Sequence, residues 1–167
     1  MRNFLSDLFR IPPLDIPLNA PPGEPPILKE KLGYIGLSHC KDSILLGWSK
    51  EKIGIDIERI DRKFPAKIIY QKYYTENEQK ELVSLSRENL RLMTLKLWVL
   101  KESSTKWEYG SIVNGLTDWE ISHNLKKAFN KVRNINLNTN CFSYQSWFLG
   151  LASKSSNIKF EIVKVIP

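Results

Sequence analysis

Cysteine and histidine are scarce in this chain, with two of each: Cys40 and Cys141, His39 and His123. The cysteines lie far apart without metal-type spacing, which argues against a disulfide scaffold or a Cys-rich zinc site and makes a reduced, cytoplasmic protein the expectation. No apolar run reaches the ~18 residues that a membrane span requires. The opening "MRNFLSDLFRIPPLD" is too polar, and too soon broken by proline, to read as a signal peptide. Internal repeats and low-complexity tracts are also lacking.

What is present is an ordinary globular composition with a basic balance. The 167 residues are 42% hydrophobic and 26% charged, enough for one domain or two small lobes sharing a core. A net charge of +7 and a pI near 9.4 favour an anionic partner: nucleic acid, a phosphate-rich cofactor, an acidic protein or a membrane surface. Composition does not choose among them.

The hydrophobic pattern predicts a short helix over residues 2–10 that "IPP" ends, then a connector with seven prolines between residues 12 and 26. Three strands are expected at "YIGLSHC", "SILLGWS" and "IGIDIER", the first two joined by a turn at Lys41 and Asp42. A partly helical basic segment follows Pro65. Thr75 and Glu78 form the pattern of a capping box, and a longer helix is expected over residues 88–107. Beyond Gly110, "TDWEIS", "SYQSWFLGLAS" and "FEIVKVI" read as strands, with a polar loop over residues 124–140. The fold class expected is α+β, helices packed on a largely antiparallel sheet.

Three constellations carry chemistry. In "IGIDIER", alternation puts Asp56 and Glu58 on one face of a strand, roughly 6–7 Å apart at ~3.3 Å per residue. That spacing suits a hard cation such as Mg²⁺, and it equally suits surface acids paired with Arg59 or Arg62. In "LWVLKESSTKW", helical spacing aligns Trp98, Glu102 and Lys106 and sets Lys101 beside Glu102; the carboxylate could complete a metal site and the lysines hold phosphates, or Glu102 and Lys106 could form a simple i, i+4 pair. In "LSHC", Ser38 and His39 end a strand where they could meet a phosphate, or His39 could be structural; as strand neighbours on opposite faces they do not suit a catalytic pair.

In combination and order, "SH", "GIDIE" and "W..KES..K" resemble the 4'-phosphopantetheinyl transferases, in particular the two-lobed type that activates carrier proteins. "LFRIPPLDI" and "PPGEPPIL" resemble stretches upstream in that family. The resemblance implies a transferase lobe over residues 51–167, preceded in residues 1–50 by the remnant of a first lobe with its proline-rich connector and Ser-His strand. It implies Mg²⁺ held by Asp56, Glu58 and Glu102, and coenzyme A contacted by Ser38, His39, Lys101 and Lys106. Glu102 and Lys106 would be the catalytic pair, with Glu76 an accessory acid. The reaction implied moves 4'-phosphopantetheine from coenzyme A to a serine of an apo acyl or peptidyl carrier protein, an acidic partner suited to the basic segment after Arg59. Neither nucleic acid nor membrane is expected as a partner.

Two departures from the family stand out. Glu24 occupies the place of a lysine in the family's Gly-Lys-Pro segment, and most of the first lobe has no counterpart. A late start codon, a compact variant or a site completed by self-association would each account for the second. The rival readings are a basic single-stranded nucleic-acid module, another metal-dependent phosphoryl-transfer enzyme, and an inactive remnant that binds carrier proteins.

Overall fold

The computed structural model describes residues 1–22, 24–29, 31–110 and 115–156. The expected strand at "FEIVKVI" lies outside them.

The N-terminal helix α1 (Arg2–Phe9) ends at Arg10, whose left-handed backbone returns its N–H to the Ser6 carbonyl. The proline-rich connector holds two short paired strands, β1 (Leu18–Asn19) and β2 (Ile27–Leu28). Proline offers no N–H, and here a side chain supplies the missing donors. The Arg2 guanidinium donates to the carbonyls of Pro13, Ile16 and Leu18 at 3.1, 2.5 and 3.0 Å. Leu5, Ile16 and Leu28 bury themselves together, with Phe9 set edge-on to Trp48.

Strands β3 (Tyr34–Cys40), β4 (Ser43–Ser49) and β5 (Ile53–Arg59) occupy the residues that the alternation predicts. β3 and β4 form an antiparallel hairpin that packs against β5. Gly36 and Gly47 of the hairpin face Ile55, where a Cβ would fall 2.9 and 3.0 Å from that side chain. Helices α2 (Ala66–Tyr73) and α3 (Glu76–Leu82) follow, and the predicted capping box forms: Thr75 accepts from the Glu78 N–H, and Glu78 accepts from the Thr75 N–H. The central helix α4 (Arg87–Tyr109) outruns the predicted span by one or two residues at each end, closing at Gly110 in the left-handed region.

The second half differs from expectation in two places. Residues 124–140 are mainly sheet, not loop: β6 (Trp119–Ile121) pairs with β7 (Lys127–Asn130), which pairs with the long β8 (Ile135–Tyr144). The alternation is there, but Leu137, Thr139 and Cys141 carry one face against Asn136, Asn138 and Asn140 on the other, so polarity masks the period. "SYQSWFLGLAS" is broken by a turn at Gln145 and Ser146, so β8 ends at Tyr144 and β9 spans Trp147–Ser153. The larger sheet runs β5-β9-β8-β7-β6, antiparallel throughout, with α4 across it. The fold is α+β, as expected. No helix among the described residues is long and apolar enough to cross a membrane.

Candidate active site

The site is built where α4 meets β5, and a glycine sets that distance. On Gly54 an added Cβ would lie 1.9 Å from the Ser103 carbonyl oxygen and 2.4 Å from the Trp107 nitrogen, so the helix backbone rests directly on the strand. Gly150 of β9 admits Val99 in the same way. Both faces of β5 are therefore covered, and Ile53 to Ile57 are all buried. Asp56 shares a face with Gly54 by the strand alternation, which aims it at α4.

Asp56 is 2% exposed, and its Oδ1 accepts from Ser38 Oγ at 2.7 Å and from Lys106 Nζ at 2.6 Å. Lys106 also donates to Ser38 Oγ at 2.8 Å, and its ammonium stands 3.8 Å from Glu102 Oε2. Ser38, Asp56, Glu102 and Lys106, drawn from β3, β5 and α4, thus meet around one ammonium. The other Asp56 oxygen, Oδ2, is buried and receives no donor.

Glu102 explains that vacancy in the hydrogen bonding. Burial, then the charge of Asp56, pushes its carboxyl up to about 9, although Lys106 opposes the shift. Two buried carboxylates side by side must share a proton or a cation. Glu58 is pushed up by burial and by Asp56, against the pull of Arg62 and Lys106. The same crowding predicts a pH effect on stability. The folded chain keeps the Glu102 proton to about 9 and the unfolded chain releases it near the ordinary 4.5, so stability falls as pH rises between these values. Metal-free protein should melt lower at about pH 8.5 than at about pH 6, and Glu102→Gln should flatten that dependence in thermal melts.

The remaining predicted residues are placed otherwise. Glu58 pairs with Arg62, the surface reading of that acid, so among the described residues no three acids converge as metal ligands. His39 is exposed on the opposite face of β3 from Ser38, a consequence of strand alternation, so the two do not address one phosphate from this arrangement. Lys101 is placed away from the cluster. It is fully buried and paired with Glu78 at 2.8 Å, so its ammonium is not available to a phosphate in the Asp56 cluster. Glu76 is exposed at the start of α3 and has no hydrogen bond or ion pair to the cluster. Of the site's supports, Gly54 was not singled out from the sequence, and Glu78 was read there only as half of a capping box. A glycine inside an isoleucine-rich strand was the available signal for the first.

A family profile described as the 4'-phosphopantetheinyl transferase superfamily matches residues 52–156. The chain belongs to that superfamily. The match covers well over half of the sequence and contains β5 and α4, with Asp56, Glu58, Glu102 and Lys106. A comparison with curated proteins finds no match. The superfamily acts with coenzyme A on carrier proteins, usually with Mg²⁺. The residues present fit such a cation in one respect: Asp56 Oδ2 is a buried acceptor without a hydrogen-bond donor, beside Glu102, whose carboxyl burial and the Asp56 charge push up. Mg²⁺ is commonly held by one or two carboxylates with phosphate and water oxygens, and Asp56 and Glu102 are two buried carboxyl groups set together at Lys106.

Proposed function

We propose that this chain transfers 4'-phosphopantetheine from coenzyme A to the serine hydroxyl of an apo acyl or peptidyl carrier protein, with Mg²⁺. The observation that carries the reading is the buried Asp56–Glu102 carboxyl pair beside Lys106, whose side chain reaches the lining of a cavity. That cavity, of about 240 Å³, is lined by Lys106, Lys52, Tyr34, Ile55 and Pro25.

Asp56 and Glu102 would hold the cation, whose chemistry is to offset negative charge on the pyrophosphate. Lys106 would turn its ammonium from Ser38 and Asp56 toward a phosphate oxygen and stabilise charge as it develops. Ser38 keeps Asp56 Oδ1 oriented through its hydroxyl donation. The carrier serine oxygen forms a bond to the β-phosphorus as the bond to the leaving oxygen breaks, and 3',5'-adenosine bisphosphate departs. The serine proton would pass to a carboxylate, for which Glu102 is the group proposed, provided that cation binding has first displaced its own proton. The basic surface residues Arg62, Lys63, Lys67 and Lys72 would steer an acidic carrier.

Calorimetric titration with coenzyme A tests the reading. Binding is expected to strengthen on adding Mg²⁺, and Asp56→Asn should abolish that increment. Tight, salt-sensitive binding to a single-stranded oligonucleotide, with no coenzyme A binding, would instead favour the nucleic-acid rival.

A further inference from the structure

The lysine beside Glu102 sits in a network of its own. Lys101 Nζ donates to Glu78 Oε2 at 2.8 Å, to the Leu116 carbonyl at 3.3 Å and to the Trp119 carbonyl. An ammonium has three N–H donors, and these acceptors match them one for one. Glu78 is equally committed: Oε1 accepts from the Ile121 N–H at 2.8 Å, and Oε2 accepts from the Thr75 N–H at 2.8 Å. Side chains of both partners are almost fully buried, at 0% and 2% exposure. The Tyr74 ring closes over the ammonium at 5.1 Å.

We propose that the Lys101–Glu78 pair is a positioning device for the reacting groups, not a contact for the substrate's phosphates. The network ties α4 to the first turn of α3, to the turn before β6 (Leu116–Asp118) and to β6 itself. A side chain fixed at position 101 fixes the roll of the helix about its axis. Glu102 follows at the next 100° step and Lys106 one turn beyond that, so the roll decides whether both face Asp56. Apolar packing tolerates small rotations; three directional hydrogen bonds to a buried charge do not, because each lost bond strands a desolvated group. The lysine of the "KES" motif thereby acts on Glu102 through the helix that both share. The inference rests on the transferase reading for what is positioned, but not for the pair itself.

Three variants test it: Lys101→Met, Glu78→Gln and the double Lys101→Met/Glu78→Met. Removing one partner strands the other's charge, so Lys101→Met should lower the melting temperature by roughly 6–20 °C, and the double variant should recover at least half of the loss. Where Lys101→Met is too unstable to assay, Glu78→Gln serves. It should melt below wild type and reduce kcat about tenfold or more while KM for coenzyme A stays within about threefold. A phosphate ligand at Lys101 gives the opposite pattern: Lys101→Met melts like wild type and raises KM. That pattern would overturn the proposal. So would a Glu78→Gln variant of lowered stability whose kcat is unchanged, because the pair would then be a brace only. If wild type transfers nothing, the transferase reading fails, and the melting series still decides whether Lys101 and Glu78 act as a pair.

Discussion

Gly54→Ala is expected to cost this protein more than a single methyl group ordinarily does. The new Cβ would fall 1.9 Å from the Ser103 carbonyl oxygen and 2.8 Å from the Trp107 Cβ, and two of its three nearest neighbours are backbone atoms of α4 that no rotamer change can move. The helix must lift from β5. Over-packing of a tight core costs about 1–3 kcal/mol, and in a chain of this length each kcal/mol lowers the melting temperature by about 2–4 °C. We therefore expect a fall of roughly 5–10 °C, at the upper end of that range because backbone is involved. Activity should fall further than stability, since lifting α4 draws Glu102 and Lys106 away from Asp56, and a misplacement of about 1 Å can cost about 10²-fold. Gly36→Ala is the control: its Cβ meets the side chain of Ile55, at 2.9 Å, which can shift. Thermal melts and turnover of both variants check the comparison. Equal effects would mean that the contact at Gly54 does not seat the site.

Asp56→Asn should have the largest effect on catalysis of any isosteric change. Its Oδ1 is the common acceptor of Ser38 and Lys106, and its Oδ2 is the oxygen left for a cation. An amide keeps the shape but removes the charge from both. Losing one preorganised electrostatic partner typically costs about 10²–10³ in rate, and this change also weakens cation binding, so a fall of at least about 10³ is expected. Stability should change little, because losing the Asp56–Lys106 ion pair opposes the relief of Glu102. With Asp56 neutral, Glu102 no longer faces a buried like charge, which is its second-largest perturbation after burial. A variant that is folded, as stable as wild type and inactive is thus the expected outcome, read by thermal melting beside single-turnover rates. Substantial residual turnover would remove Asp56 from the centre of the site.

The parts of this arrangement legible in the sequence were those that local periodicity controls. β3, β4 and β5 follow from alternation, α3 from its capping box, and α4 from its helical period with Gly110 beyond it. The pairing of Asp56 with Lys106 and Glu102 required the motif resemblance, because β5 and α4 are separated by some forty residues and no local rule brings them together. The burial of Lys101 was not legible for a related reason. Its neighbour Glu102 faces the site, but one step along a helix turns a side chain by about 100°, into the space behind β6. Glu58 shows the limit in a strand: alternation gave its face and offered Arg59 or Arg62 as partner, and only side-chain reach decides for Arg62. Most of β8 was missed because threonine, cysteine and asparagine carry its alternation, and a hydrophobic pattern cannot register a face built from polar residues; β7 offers only the four residues "KAFN".

The central claim is that Asp56, Glu102 and Lys106 form a working phosphopantetheinyl-transfer site in this chain. Incubating the protein with apo carrier protein, coenzyme A and Mg²⁺, and weighing the carrier by intact mass spectrometry, tests it most directly. The carrier is expected to gain one phosphopantetheine on its acceptor serine, and chelating the metal or substituting Asp56→Asn is expected to prevent the gain. A carrier of unchanged mass with every tested acyl and peptidyl carrier, from protein shown to be folded, would contradict it.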